Sequence, residues 1–132
     1  MDSTKDAARA DVTADPLDAM VAAPDHHRIL TENDNVRVLD TRLGPGERTP
    51  VHAHPWPVAL YVMSWSDFVR YGPDDNILLE SRFMAAPPGP GEALWSAPLP
   101  PHYVRNLGDR DLHIIAVEIK GADPRAWDGP LQ

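Results

Sequence analysis

Proline is the residue type that most constrains the fold of this chain. Eleven of its 15 prolines lie between Pro45 and Pro101. Proline has no backbone N–H and clashes with the preceding helical turn, so no long helix can cross this stretch. The composition, with 42% hydrophobic and 24% charged residues, is that of an ordinary globular protein. We therefore expect an all-β fold in one domain.

Short apolar and β-branched segments alternate with turn signals through this region. Gly44-Pro45-Gly46 and the block from Pro87 to Gly91 are the clearest turns. Short strands separated by such turns are typical of a small β-sandwich or barrel. The predicted strands are Val36–Leu43, Val51–His54, Val58–Met63, Ile77–Met84, Ala93–Ser96, His102–Asn106 and Leu112–Ile119.

Two of these strands, Val58–Met63 and Leu112–Ile119, are apolar on both faces. A single sheet with one face in water would alternate apolar and polar residues. The second face therefore needs cover from another sheet, from the N-terminal segment or from a second subunit. A homodimer is the simplest of these explanations, and we expect one. Residues 1–26 are predicted to form a tail or a short docking helix, with a weak helical pattern around Leu17, Met20 and Val21.

Charge and composition exclude several classes of function. The net charge of −8 argues against nucleic acid as a partner, because such a partner requires a basic surface. No basic amphipathic segment is present for a membrane surface, and the absence of cysteine rules out disulfides and thiolate chemistry. The N-terminus has no apolar run long enough for a signal peptide. We expect a cytoplasmic protein whose partner is a small molecule.

Three of the six histidines form a candidate site. His52 and His54 lie two residues apart, so on a strand both rings project from the same face and can chelate one cation. The pair alone is more typical of two solvent-facing histidines, but His102 opens a later strand behind a proline-dense turn. His26 and His27 are interpreted as surface residues of a linker, and His113 as a hydrogen-bonded structural histidine.

The spacing of these residues resembles a known family. Gly46, His52 and His54 resemble the start of the first cupin motif, while Gly91, His102 and Asn106 resemble the second. Further stretches similar to short single-domain bacterial cupins are Glu32–Leu39, Pro45–Glu47, Tyr61–Met63 and Val117–Lys120. The resemblance covers residues 27–120, with residues 121–132 left as a C-terminal tail. It implies a single RmlC-like jelly-roll β-barrel that binds one metal through His52, His54 and His102.

The chain also departs from the cupin pattern. The first motif normally supplies a glutamate ligand four residues after its second histidine, and that position is Val58 here. Its closing glycine would fall at Trp65, and the proline and glycine of the second motif are Ala97 and Leu99. The three histidines remain while the carboxylate is missing. We therefore expect a three-histidine metal site.

The resemblance implies a metal-dependent enzyme that acts on a small oxygen-rich organic molecule. Two chemistries are open: oxygenation at a three-histidine Fe(II) centre, and Lewis-acid cyclase or isomerase chemistry at zinc. The cofactor is one divalent metal, Fe, Zn, Ni or Mn. A non-catalytic small-molecule-binding or sensor cupin is the alternative. Candidate substrate-binding residues are Trp56, Val58, Leu60, Val62, Val104 and Asn106.

Overall fold

The computed structural model describes residues 15–121 as a nearly all-β domain. One short helix, α1 (Ala19–Ala22), precedes the strands. The strands are β1 (His27–Glu32), β2 (Val36–Leu43), β3 (His52–His54), β4 (Val58–Ser64), β5 (Phe68–Tyr71), β6 (Ile77–Glu80), β7 (Ala93–Ser96), β8 (Leu99–Asn106) and β9 (Leu112–Ile119).

The strands form two antiparallel sheets. The first has five strands in the order β1-β2-β9-β4-β7, and the second has four in the order β3-β8-β5-β6. Apart from the hairpins β1-β2 and β5-β6, neighbours in the sheets are far apart in the sequence, which is the crossed connectivity of a jelly roll. Over the described residues the two sheets do not close into a continuous barrel, but the predicted all-β jelly-roll fold is confirmed.

Most strand predictions agree with the structure to within one residue, but the strand predicted over His102–Asn106 begins at Leu99, so His102 is its fourth residue. Val36–Leu43, Ala93–Ser96 and Leu112–Ile119 have the predicted bounds. β1 and β5 were not predicted as strands. The strand predicted over Ile77–Met84 ends at Glu80, where a 3-10 turn over Ser81–Phe83 follows. That turn has a local cause, because the Ser81 hydroxyl accepts a hydrogen bond from the Phe68 amide and donates one to Asp67.

Two glycines of the resemblance occupy turns that only glycine accepts without strain. Gly46 has φ 77° and Gly91 has φ 85°. Other residues pay a steric penalty in this left-handed region. The Gly46 amide also donates to the Asn106 carbonyl, which joins the turn after β2 to the end of β8.

Side chains of alternate residues on β4 and β9 pack into the interior. Leu112, Ile114 and Ala116 are buried on β9. On β4, Val58 and Val62 are buried, and Leu60 packs against the same core. The opposite face of the five-stranded sheet leaves apolar side chains partly in solvent, including Tyr61, Met63 and Trp95. The homodimer expected from the two-sided apolar strands stays a prediction.

The N-terminal part that the structure describes packs against both sheets, at β1 and β3. Asp18 caps α1 by accepting a hydrogen bond from the Met20 amide, and it forms a bridge with Ala53 in β3. Ala19 and Ala23 are fully buried. Residues 1–14 of the predicted tail and residues 122–132 lie outside the described residues. Among the described residues, no helix is long and apolar enough to cross a membrane.

Candidate metal centre

Three strands bring four histidines together at one end of the interior. His52 and His54 are the first and last residues of β3, and their rings share one face as the spacing predicts. His102 on β8 is directly opposite His52 in the strand register. His27 is the first residue of β1 and joins them from the other sheet. We refer to His27, His52, His54 and His102 as the histidine cluster.

The rings of the histidine cluster are in direct contact. The His52 ring centroid lies 4.5 Å from that of His102, 5.0 Å from that of His54 and 4.9 Å from that of His27. His27, His52 and His54 each offer a ligand nitrogen, and these three atoms lie within 4.8 Å of one another. His102 is 2% exposed and His27 is 3% exposed. The three predicted ligands therefore lie in the cluster together with His27, but His102 joins it through ring contacts and is not among the three histidines whose ligand atoms meet within 4.8 Å.

The interpretation of His27 as a surface residue is wrong. Its side chain is buried because its ring packs against the rings of His52 and His54 and its Nδ1 bonds the Ala23 carbonyl. His26, next to it, is half-buried and bonds the Arg42 carbonyl through Nδ1. His113 is a structural histidine as expected, since its Nε2 contacts the Asp40 carboxylate.

Every ring of the histidine cluster is held through its Nδ1 atom. Nδ1 lies 2.9 Å from the Ala23 carbonyl oxygen in His27, 2.8 Å from that of Pro50 in His52 and 2.7 Å from that of Pro100 in His102. A carbonyl oxygen only accepts, so Nδ1 carries the proton in each of these rings. The lone pair of a neutral ring is then on Nε2. Four neutral imidazoles with free Nε2 atoms are what a metal ion requires from histidine.

Burial keeps these rings uncharged. It is the main cause that lowers the pKa of His27 to about 3 and the pKa of His102 to about 2, with neighbouring histidines as a further cause. Burial likewise lowers the pKa of His52, and it lowers the pKa of His54 well below the ordinary value. The contact between His54 and Glu118 is therefore a hydrogen bond of a neutral ring and not an ion pair.

A buried charge network supports His54 from behind. His54 Nδ1 lies 3.2 Å from Oε2 of Glu118, whose Oε1 accepts from Arg37 Nε at 2.6 Å. The two terminal nitrogens of Arg37 donate to the two Asp18 carboxylate oxygens at 3.0 Å each. All three charged side chains are buried. A carboxylate that orients a histidine in this way is the usual support of a metal-ligating imidazole.

The network also places a carboxylate opposite Val58, the position where the first cupin motif has its glutamate. Val58 faces Glu118 across the β4–β9 register. The Glu118 carboxylate contacts His54 Nδ1 and so supports one histidine of the cluster. His27 occupies the cluster as a further nitrogen donor. Sequence reasoning assigned Glu118 no role, because its partners are 64 and 81 residues away.

A cavity of about 140 Å³ opens beside the histidine cluster. All four cluster histidines line it, and most other lining side chains are apolar, such as Leu43, Phe68 and Ile114. Arg70 and Trp65 also line it, and neither was predicted as a site residue. Among the described residues, no aspartate or glutamate lines this cavity. The site therefore has neutral nitrogen donors at one end and an apolar chamber beyond them.

The six candidate substrate-binding residues divide into two groups. Val58, Leu60 and Val104 line the cavity. Val62 is in the packed core, and Trp56 is 5% exposed beneath the Arg37 guanidinium, at 5.0 Å. Asn106 is fully buried, and both its side-chain nitrogen and its side-chain oxygen are hydrogen-bonded within the fold. Its amide nitrogen donates to the Leu43 and Arg110 carbonyls, while its oxygen accepts from Ser66 and Gly108.

Comparison with known proteins identifies the fold. A cupin domain from Bordetella pertussis superimposes with a TM-score of 0.58 at 20% sequence identity, covering 72% of this chain and 92% of that chain. An RmlC-like cupin from Methanocaldococcus jannaschii has a TM-score of 0.51 at 15% identity, covering 75% of this chain and 81% of the other. A double-stranded β-helix protein from Klebsiella pneumoniae has a TM-score of 0.51 at 17% identity, with coverages of 72% and 71%. No protein-family model and no curated protein matches this chain. The resemblance to cupins is thus confirmed at the level of the fold.

Proposed function

We propose that this protein with a cupin fold is a metal-dependent enzyme for a small oxygen-rich organic molecule. The observation that carries the proposal is the state of the histidine cluster. Four buried imidazoles line one cavity, and Nδ1 of each ring is bonded to a carbonyl or carboxylate oxygen, so that Nε2 is free. His52, His54 and His102 would hold the metal, and His27 would take the place of the missing glutamate.

The donor set decides which ligands the site favours. Imidazole nitrogen suits Zn, Fe, Ni and Cu. A divalent ion held by neutral imidazoles keeps its full charge and supplies Lewis-acid or redox chemistry to bound oxygen atoms. The chain contributes fixed rings, and an apolar wall that includes Val58 and Leu60. Fixed rings and a largely apolar chamber strengthen every electrostatic interaction with an anionic oxygen ligand.

Two chemistries remain within this proposal, because neutral imidazoles serve both metals. One is oxygenation of the substrate with Fe(II), and the other is redox-neutral cyclisation or isomerisation with zinc. A non-catalytic binding or sensor function is the second candidate. It is favoured by one observation: no aspartate or glutamate among the described residues lines the cavity as a general acid or base.

Metal content of the purified protein tests the proposal. We expect about one divalent ion per chain by elemental analysis, lost in His102→Ala and reduced in His27→Ala, with His113→Ala as a matched control that keeps its metal. Far-UV circular dichroism checks that each variant is folded. Full occupancy in His102→Ala would overturn the metal site, and unchanged metal affinity in His27→Ala would restrict the ligands to the three histidines predicted from the sequence.

The identity of the metal then separates the functions. Iron with substrate-dependent oxygen consumption supports the dioxygenase, and zinc without oxygen consumption supports the cyclase or isomerase. A folded protein that takes up none of Fe, Zn, Ni or Mn supports the non-catalytic binding or sensor function.

A further inference from the structure

Two buried N–H groups beside the histidine cluster have no hydrogen-bond partner. Within residues 15–121, Trp65 Nε1 and Arg70 Nε are the buried side-chain nitrogen or oxygen atoms that lack one. Buried polar groups are nearly always paired, because an unpaired one loses its hydration without compensation. Both residues line the cavity. The two residues therefore line the same cavity, and both unpaired atoms are donors.

Arg70 is placed next to the histidine cluster by the strand register. On β5 it faces Val104 of β8 on one side and Leu79 of β6 on the other. Val104 lies two residues after His102, so both project from the same face of the sheet. After burial, which is the largest cause, the positive charge of Arg70 helps to lower the pKa values of His52, His54 and His102.

No protein group neutralises this arginine. Arg70 takes part in no ion pair or side-chain hydrogen bond among the described residues, and no carboxylate among them lines the cavity. Burial lowers the pKa of Arg70, and no opposing carboxylate raises it. A guanidinium nevertheless stays protonated in proteins. The cavity thus contains one positive charge and two unpaired donors, and no carboxylate among the described residues lines it to pair with them.

We propose that Arg70 and Trp65 form an anion subsite that binds the carboxylate of a small organic acid. The planar guanidinium matches a carboxylate through paired N–H groups, and the indole N–H adds a further donor. One carboxylate charge balances the one arginine, whereas a phosphate of charge about −1.5 to −2 would leave excess negative charge in an apolar chamber. The whole cavity has a volume of about 140 Å³, close to the volume of about 150 Å³ that accepts a benzene ring, so the acid is no larger than a single ring or a short branched chain with its carboxylate.

The subsite also defines the substrate class, and this step rests on the proposed function. A molecule anchored by its carboxylate at Arg70 directs its other end toward the histidine cluster. Since the cluster favours oxygen ligands, the substrate is a small carboxylic acid with a second oxygen function. The carboxylate subsite itself requires no metal.

Benzoate and its neutral analogue benzamide test the subsite. We expect benzoate to bind the metal-free wild-type protein in titration calorimetry. Arg70→Met should weaken benzoate binding at least about tenfold, because a hydrogen-bonded charge pair is lost. Trp65→Phe should weaken it by a smaller factor, and Arg105→Met, which removes an exposed arginine from the neighbouring strand, should leave it unchanged. Benzamide affinity should be the same in wild type and Arg70→Met.

Three results would overturn the carboxylate subsite: no binding of millimolar benzoate to wild type, equal benzoate affinity in wild type and Arg70→Met, or tighter binding of inorganic phosphate than of benzoate. We expect Arg70→Met to be at least as heat-stable as wild type, since it removes an unpaired charge from a half-buried position. If it fails to fold, Arg70→Lys keeps the charge but loses the guanidinium fork, and unchanged benzoate affinity in that variant would also overturn the subsite.

The test is independent of the metal. His102→Ala without metal that still binds benzoate would retain the subsite even if the metal-dependent function failed. Conversely, if the wild-type protein binds metal but does not bind benzoate, the carboxylate subsite is contradicted and the metal-dependent function is not.

Discussion

Two arginines point their side chains into the interior of this fold, and their surroundings are opposite. Arg37 on β2 donates to both Asp18 and Glu118 and is fully enclosed. Although burial by itself lowers the pKa of Arg37, the hydrogen bonds to these carboxylates raise it. Arg70 on β5 has no carboxylate, and burial lowers its pKa. Burial alone therefore does not show what a charged side chain does. An arginine with carboxylate partners, such as Arg37, is structural, whereas one without them, such as Arg70, is available to a ligand.

The largest effect is expected when the paired arginine is removed. Arg37→Met leaves Asp18 and Glu118 buried without their cation, which should destabilise the protein by roughly 3–5 kcal/mol. Arg70→Met is the matched control and should cost nothing or stabilise the fold, because no partner is left behind. Urea unfolding of the two metal-free variants measures both free energies. If Arg37→Met lowered the free energy of unfolding by less than about 1 kcal/mol, the two arginines would not differ in their contribution to stability.

The sequence predicted the fold well but located only part of the site. Turns and short strands predicted a small β-sandwich or barrel, the resemblance to cupins specified the jelly roll, and the pairing of His52 with His102 follows the cupin spacing. Two of the residues it missed, His27 and Arg70, lie on the two strands it missed. β1 is exposed after His27, and β5 has only four residues, so neither shows a clear alternation of apolar and polar side chains.

The roles of Glu118 and Arg70 depend on contacts between distant parts of the chain. Glu118 bonds residues on β2 and β3, and Arg70 is distinguished by having no acceptor at all. Spacing along the sequence carries no signal for either property. Only the three-dimensional arrangement separates Arg70 from the arginines with partners.

Acid should destabilise the metal-free protein through the histidine cluster. In the unfolded chain these histidines take up protons below a pKa of about 6.5, whereas His27 and His102 in the fold stay neutral down to about 3 and about 2. The unfolded state therefore binds more protons, and stability falls as pH decreases through this window. Each such histidine contributes about 1.4 kcal/mol per pH unit.

The measurement is urea unfolding of metal-free protein between about pH 7 and about pH 5, compared with the His27→Ala variant. Removing one buried neutral histidine should reduce the dependence on pH, while His113→Ala should change it less. A wild-type stability that stays constant across this range would show that the cluster titrates in the fold as it does in the unfolded chain. The histidines next to Arg70 would then not be held in their neutral form.

A smaller effect is expected from Glu118→Gln, which links the paired arginine to the metal site. The single oxygen of the glutamine can accept a hydrogen bond from Arg37 or from His54 Nδ1. Its NH₂ group, itself a donor, then faces the N–H of the other residue. If the oxygen stays on Arg37, the amide favours the His54 form with the proton on Nε2, which cannot ligate. We expect roughly 10–100-fold weaker metal binding, measured by competition with a chelator. Unchanged affinity would show that His54 does not depend on the network of Arg37.

The smallest effect is expected from an arginine that has a partner but is not buried. Arg28 lies 3.2 Å from the Asp40 carboxylate, and its side chain is 74% exposed. Water screens this pair and both side chains lose freedom in forming it, so Arg28→Ala should cost only about 0–1 kcal/mol. Asp40 also retains its contact with His113 in that variant. The three arginines thus form a series in which Arg37 has partners and burial, Arg28 has a partner without burial, and Arg70 has a buried donor without a partner. If urea unfolding showed that Arg28→Ala costs as much as Arg37→Met, ion pairing alone would explain the stability of both sites, and the enclosure of Arg37 would add nothing.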